Sequence, residues 1–294
     1  MNVAQNPAPP YPAISGKARL AGVMGWPVGH SLSPRLHGYW LAEHGIDGAY
    51  VPLPVRPEQF ERAFRALPVL GFRGANVTLP HKEAALALAD SASPEARRIG
   101  AANTLVVDGQ GRIEARNADA FGFIENLKEG APFWRAKDRP AVVVGAGGAS
   151  RALLVALADA GVPEIRLVNR NASRAEGLAT SLGGPIEVVD WEDRARALEN
   201  AGLLVNATTQ GMVGQPPLDL ALDRLPPEAV VNDIVYVPLE TPLLAAARRR
   251  GNPVVDGLGM LLHQAVPGFE RWFGRKPEVT ADLRQMIVAD IEAH

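Results

Sequence analysis

The stretch VVVGAGGASRALLVALADAG, residues 142–161, constrains this chain more than any other. An apolar run, Ala141 to Val144, enters a glycine-rich turn, and an Ala/Leu-rich helical pattern leaves it. Such a strand–turn–helix unit belongs to an α/β architecture. The glycines permit a tight turn, and the new helix offers amides and a partial positive charge that suit a pyrophosphate. The usual dinucleotide pattern has glycine at its third marked position, where Ser150 stands here. A small residue at 149 or 150 still permits close helix–strand packing. The bland alternative is a tight turn that holds nothing.

The next apolar strand, EIRLVN, bears on which dinucleotide would bind. An NAD site places an acidic residue about 20 residues beyond the turn, where it bonds the ribose 2′-hydroxyl. Here the strand ends in Asn169-Arg170-Asn171-Ala172-Ser173-Arg174, without an acid. Planar guanidinium groups bind a 2′-phosphate well. Arg170 and Arg174 therefore favour NADP (NADPH) over NAD, the alternative being two solvated surface arginines.

Short apolar strands alternate with helical stretches through most of the 294 residues. Residues 19–26 read as a strand, and Ser33 with Pro34 as the N-cap and first residue of a helix that stops at Gly45. GAYVPLPV and RGANVTLP read as strands, PEQFERAFRAL as a helix, and 103–117 as a hairpin around Asp108-Gly109. After a helix at about 120–130, strands are expected at AVVVGA, EIRLVN, IEVVD, LLVNAT, VVNDIVY and PVVDG. Repeated strand–helix units imply a parallel sheet covered on both faces. The expectation is an α/β chain of two domains that meet near 117–122. Residues 1–17, rich in proline, read as a flexible leader.

Composition narrows the function classes. The net charge of −2 and the lack of a long basic run oppose nucleic-acid binding. Without cysteine there are no disulfides or thiolate metal sites, which fits a reducing cytoplasm. The six histidines lack metal-ligand spacing, so no metal is expected. No signal peptide and no membrane-length apolar stretch is apparent. There is no Gly-x-Ser-x-Gly elbow of a serine hydrolase.

Polar residues recur where strands end in the first half: Ser31, Ser33, Asn76, Thr78, Lys82, Asn103 and Asp119. Tyr236 and Gln264 follow later. Taken singly, each has a dull explanation as a cap, a turn residue or a solvated side chain. Together, hydroxyls and amides suit a small, hydroxyl-rich substrate, and Lys82 beside Asp119 could carry a proton next to a redox cofactor.

The ordered motifs SLSPRLH, GANVTLPHK, IGAANT, NADAFGF, VVVGAGGASRA, NRNASRA, NATTQGM, NDIVY and DGLGMLLHQA resemble those of the shikimate dehydrogenases, from about residue 20 to 275. The resemblance implies NADPH-dependent reduction of 3-dehydroshikimate to shikimate, on the route to chorismate and the aromatic amino acids. It implies an N-terminal substrate domain, 18–118 plus 257–294, and a Rossmann-like NADP domain, 119–256, with the C-terminal helices returning to the first domain. Ser31 and Ser33 would hold the substrate carboxylate, with Tyr236 nearby. Asn76, Thr78, Asn103, Asp119 and Gln264 would contact the ring hydroxyls, and Lys82 with Asp119 would form the catalytic pair. Gly145, Ala146, Gly147, Gly148 and Ala149 would face the pyrophosphate, and Asn169, Arg170 and Arg174 the adenosine phosphate. Thr208, Met212, Ile234, Gly257 and Met260 would lie near the nicotinamide.

Gly38, Asn171 and His263 depart from the resembling pattern. His263 would either perturb the pocket rim or face the other domain. A relative acting on quinate or an aminoshikimate, commonly with NAD, is the nearest rival, and intact Ser31 with the two arginines opposes it. A non-catalytic NADP-binding sensor would be expected to lack Lys82 or Asp119. Monomer and homodimer both stay open.

Overall fold

A computed structural model of the chain describes residues 14–293. Residues 1–13 of the expected leader lie outside the described residues. Just after them, the Ser15 amide donates to the Asp47 carboxylate at 3.0 Å.

The first half contains β1 (Arg19–Gly25), α1 (Ser33–Glu43), β2 (Gly48–Pro54), α2 (Phe60–Val69) and β3 (Phe72–Val77). It continues with α3 (Lys82–Leu88), β4 (Ser91–Ala92), α4 (Pro94–Ile99), β5 (Thr104–Val107) and β6 (Ile113–Arg116). The strands form one sheet in the order β2-β1-β3-β5-β6-β4. β1 pairs in parallel with β2 and β3, whereas β5 runs antiparallel to both β3 and β6. Strand–helix alternation alone implies a parallel sheet, and the hairpin makes this one mixed. Its turn closes on Asp108, whose carboxylate accepts from the amides of Gln110 and Arg112. The left-handed residue there is Gly111 (φ +77°) rather than Gly109.

Ser33 is not the cap of α1. Leu32 holds that position, Ser33 is the first helical residue, and the Ser31 hydroxyl accepts the Ser33 amide at 3.3 Å. The chain turns into the helix one residue earlier than the Ser-Pro pair implies, which leaves the Ser33 hydroxyl available for other contacts.

The second half contains α5 (Asp119–Gly130), β7 (Ala141–Val144), α6 (Gly148–Ala160), β8 (Ile165–Val168), α7 (Ala172–Leu182) and β9 (Ile186–Val189). β10 (Leu203–Asn206), β11 (Val230–Asp233), α8 (Pro242–Arg249) and β12 (Val254–Val255) complete a second sheet. All its pairs are parallel, in the order β12-β11-β10-β7-β8-β9. Alternate residues of β7 enter opposite cores. Ala141 and Val143 join the cluster under α6, and Val142 and Val144 the one containing Leu243 and Leu244 of α8. Strand order reverses between β7 and β10, the switch point at which open α/β sheets bind ligands.

α9 (Leu258–Phe273) follows β12, packs along α5 and returns to the first sheet, and α10 (Ala281–Glu292) follows. Phe269 and Trp272 of α9 join Ala21 and Val23 of β1 in one buried cluster. The Trp272 indole donates to the Leu105 carbonyl at 2.8 Å. Among the described residues, no helix is long and apolar enough to cross a membrane.

Candidate active site

Both sheets point strand ends at one cavity of about 210 Å³. Ser31 and Ser33 follow β1, and Thr78 and Lys82 follow β3. Because β5 is antiparallel, its entry residue Asn103 sits at the same edge as the exits of β1 and β3; Thr104 pairs with Asn76. β6 runs back to that edge and delivers Asp119. The second sheet contributes Ala149 after β7 and Ile234 and Tyr236 after β11, and α9 brings Met260 and Gln264. All nine residues expected at the substrate line this cavity.

Lys82 and Asp119 are each the first residue of a helix, α3 and α5, and their charged groups meet at 2.6 Å. Their side chains are 17% and 7% exposed, so the pair is largely screened from water. The carboxylate sits at a helix N-terminus, where the helix dipole favours negative charge. Asn103 Nδ2 donates to Asp119 Oδ1 at 2.8 Å and to Gln264 Oε1 at 2.9 Å. Asn103 Oδ1 accepts from Thr104 Oγ1 and the Ala118 amide. The pair is thereby tied to β5, α5 and α9 together.

Asn76 is similarly fixed. Its Nδ2 donates to the Asn103 carbonyl at 3.0 Å, and its Oδ1 accepts from the Tyr50 hydroxyl at 2.6 Å. Burial raises the Tyr50 pKa well above its usual value, opposed by a weaker hydrogen bond with Ser33. Burial also raises the Tyr236 pKa. Both phenols therefore stay protonated donors through neutral pH.

The glycine turn opens beside the cavity. Gly145 has φ +111°, and a Cβ there would lie 2.8 Å from Thr208 Cγ2, so only glycine lets β7 and the loop after β10 approach. Over Gly147 a Cβ would meet nothing within 4 Å, and over Gly148 only Leu79 at 3.9 Å. That open space faces the first turn of α6, whose amides have no intrahelical acceptor. Ser150 is fully buried, and its hydroxyl accepts the Gly147 amide at 3.0 Å. The residue that breaks the glycine pattern thus caps the turn.

Asn169 links this turn to the end of β8: its Oδ1 accepts the Ala146 amide, and its Nδ2 donates to the Asn171 carbonyl. Asn171 caps α7 by accepting the Arg174 amide at 2.9 Å. Arg170 and Arg174 are exposed on the strand end and first helical turn, and among the described residues neither joins an ion pair. Across the switch point, Asn206 binds Thr208, the Gln210 carbonyl and Asp233, joining the loop that bears Thr208 and Met212 to the one that bears Ile234 and Tyr236.

Of the expected cofactor residues, Ala149, Ile234, Gly257 and Met260 line the cavity, and the others lie along the second sheet's carboxyl edge. His263 does not line the cavity. It faces Glu129 of α5 at 2.7 Å. Sequence reasoning missed His30, which lines the cavity beside Ser31, and Tyr50 and Asn117. Asn117 accepts the Asp119 amide at 2.9 Å. His30 was findable from its place in GHSLSP, whereas Tyr50 and Asn117 act through partners that only the fold reveals. Among the described residues, no group of three or more His, Cys, Asp or Glu could hold a metal ion.

Three stretches match known families. Residues 23–105 match the shikimate dehydrogenase substrate binding domain, 129–213 the shikimate / quinate 5-dehydrogenase family, and 257–287 the shikimate 5′-dehydrogenase C-terminal domain. A shikimate dehydrogenase (NADP(+)) of Paramagnetospirillum magneticum is 64% identical over 276 residues, covering 94% of this chain and 100% of that protein. A Thermus thermophilus shikimate 5-dehydrogenase, solved with NADP(H) and shikimate, has a TM-score of 0.82 at 38% identity, covering 93% and 99% of the two chains. A Corynebacterium glutamicum quinate dehydrogenase, solved with NAD, has a TM-score of 0.86 at 32% identity, covering 92% and 99%.

Proposed function

The chain belongs to the shikimate dehydrogenase family, and from that premise we propose that it reduces 3-dehydroshikimate reversibly to shikimate with NADPH. The observation that carries this reading is the screened Lys82–Asp119 pair, bonded through Asn103 to Gln264, beside an open glycine turn. This is the reaction that supplies shikimate for chorismate and the aromatic amino acids.

Bound NADPH supplies the hydride, and the protein supplies position and charge. Gly145 through Ala149 hold the pyrophosphate at the start of α6, and Asn169, Arg170 and Arg174 hold the adenosine phosphate. Thr208, Met212, Ile234, Gly257 and Met260 border the nicotinamide. Ser31, Ser33 and Tyr236 hold the substrate carboxylate. Asn76, Thr78, Asn103, Asp119 and Gln264 fix the ring hydroxyls, so one ring face is presented to the cofactor side. Lys82 Nζ stabilises the C3 oxygen as it gains charge and gives it a proton. General acid help of this kind is worth about 10²–10⁴ in rate. Asp119 holds the ammonium and the adjacent hydroxyl in register.

The domain division that accompanies this reading is 18–118 plus 257–294 for substrate and 119–256 for cofactor. The enzyme acts on small molecules alone, in the cytoplasm, as a monomer or homodimer. Arg170 and Arg174, which have no carboxylate partner among the described residues, favour NADP over the NAD of the quinate relative. Product identification tests the reading. NADPH and 3-dehydroshikimate are expected to give shikimate, and faster conversion of 3-dehydroquinate to quinate with NADH overturns it.

A further inference from the structure

We infer that Trp191 sets cofactor preference by holding Arg170 ready for the 2′-phosphate, an inference that rests on the NADP reading above. The parallel register of β8 and β9 pairs Val168 with Val189. Two residues beyond each strand, Arg170 and Trp191 leave adjacent strand ends. The Arg170 guanidinium carbon lies over the Trp191 ring, 5.2 Å from its centroid.

Trp191 itself has a firm base. It packs against the apolar cluster that includes Val168 and Leu198. A second guanidinium, Arg194, lies over the same ring at 4.7 Å. Arg194 is fixed by three hydrogen bonds: to the Asp219 carbonyl, the Asp219 carboxylate and the Trp191 carbonyl.

The way Arg170 is held decides what it can bind. An aromatic face attracts a guanidinium through its quadrupole and leaves the N–H edge free. A carboxylate would occupy those donors and neutralise the charge. Asp190, Glu192 and Asp193 flank Trp191 in sequence, yet none of them ion-pairs with Arg170 or Arg174. Arg170 therefore keeps its charge and donors while losing rotamer freedom that phosphate binding would otherwise have to remove.

The test is the ratio of kcat/KM for NADP to that for NAD, measured in Trp191→Leu, Trp191→Met and Trp191→Phe. Loss of the ring in the Leu and Met variants is expected to lower the ratio about three- to tenfold, and Phe to retain most of it. In an Arg170→Ala background, Trp191→Leu is expected to change the ratio less than about twofold, because the ring acts through that arginine. Circular dichroism and melting temperature check each fold, and Met serves if Leu does not fold. An equal fall with both cofactors, no rescue by Phe, or independent effects of the two residues overturns the inference. If Arg170→Ala shifts the preference and no Trp191 variant does, this inference fails while the arginine reading stands. If Arg170→Ala leaves the preference unchanged, both fail.

Discussion

His37→Phe is expected to make the fold less sensitive to acid. The His37 ring is fully buried, stacked on Tyr50 at 3.9 Å and edge-on to Trp40 at 5.7 Å. Among the described residues, neither ring nitrogen has a hydrogen-bond partner. Burial lowers its pKa from 6.5 to about 3, against a weaker upward pull from the nearby Asn76 amide. In the unfolded chain the same ring titrates near 6.5. Above that value both states are neutral and the group contributes no pH dependence. Below it the unfolded chain takes up a proton that the folded chain refuses until about pH 3, so stability is lost as pH falls through this window. Between about pH 6 and pH 4 the loss is roughly 2.5 kcal/mol. Phenylalanine removes this linkage. Its larger ring carries a packing cost, but that cost is the same at both pH values. Carboxylates that titrate in this range are common to both proteins and cancel. Urea unfolding of the two proteins across this range measures the difference. The stability gap is expected to move by roughly 2.5 kcal/mol in favour of Phe as the pH drops. A gap that stays constant refutes the reasoning, because His37 would then titrate alike in the folded and unfolded chain.

Other perturbations probe the site. Lys82→Ala is expected to cut kcat by about 10²–10⁴ while NADP affinity, read by calorimetric titration, stays nearly unchanged. Arg170→Ala with Arg174→Ala is expected to weaken NADP at least roughly tenfold and to spare NAD, because charge-assisted hydrogen bonds to a phosphate are lost. Gly122→Ala tests the α5–α9 seam. A Cβ there would lie 2.7 Å from Gln264 Cβ and 2.7 Å from the Met260 carbonyl. Overpacking is expected to cost about 1–3 kcal/mol in thermal unfolding and to raise the KM for shikimate by displacing Gln264.

Much of this fold was legible because its signals are local. Apolar runs, glycine turns and a Ser-Pro start announce many of the strands and helices, and the ordered motifs supply the residues that the fold gathers at the cavity. The glycine turn and the arginines at Arg170 and Arg174 stand within single strand–helix units, so they could be read directly. Lys82 and Asp119 lie 37 residues apart, and their contact depends on β5 running antiparallel to β3. Spacing alone could not supply that. The two-residue strands β4 and β12 carry little pattern, and the sequence pattern predicts neither β4 nor the short helices α3 and α4. Ser33 reads as a cap because Ser-Pro commonly starts a helix, but the chain turned one residue sooner. Trp191 was invisible to motif reading, since its partner is set by the register between β8 and β9.

The most direct measurement is the absorbance of reduced nicotinamide in purified protein given shikimate. NADP and NAD are run side by side, with quinate as a parallel substrate. Rapid reduction of NADP by shikimate, and much slower reduction in every other pairing, is the expected result. Faster reduction of NAD by quinate would contradict the assignment of substrate and cofactor while leaving the Lys82–Asp119 pair in place. Binding of NADP with no turnover of either substrate would contradict the catalytic claim itself and favour a sensor.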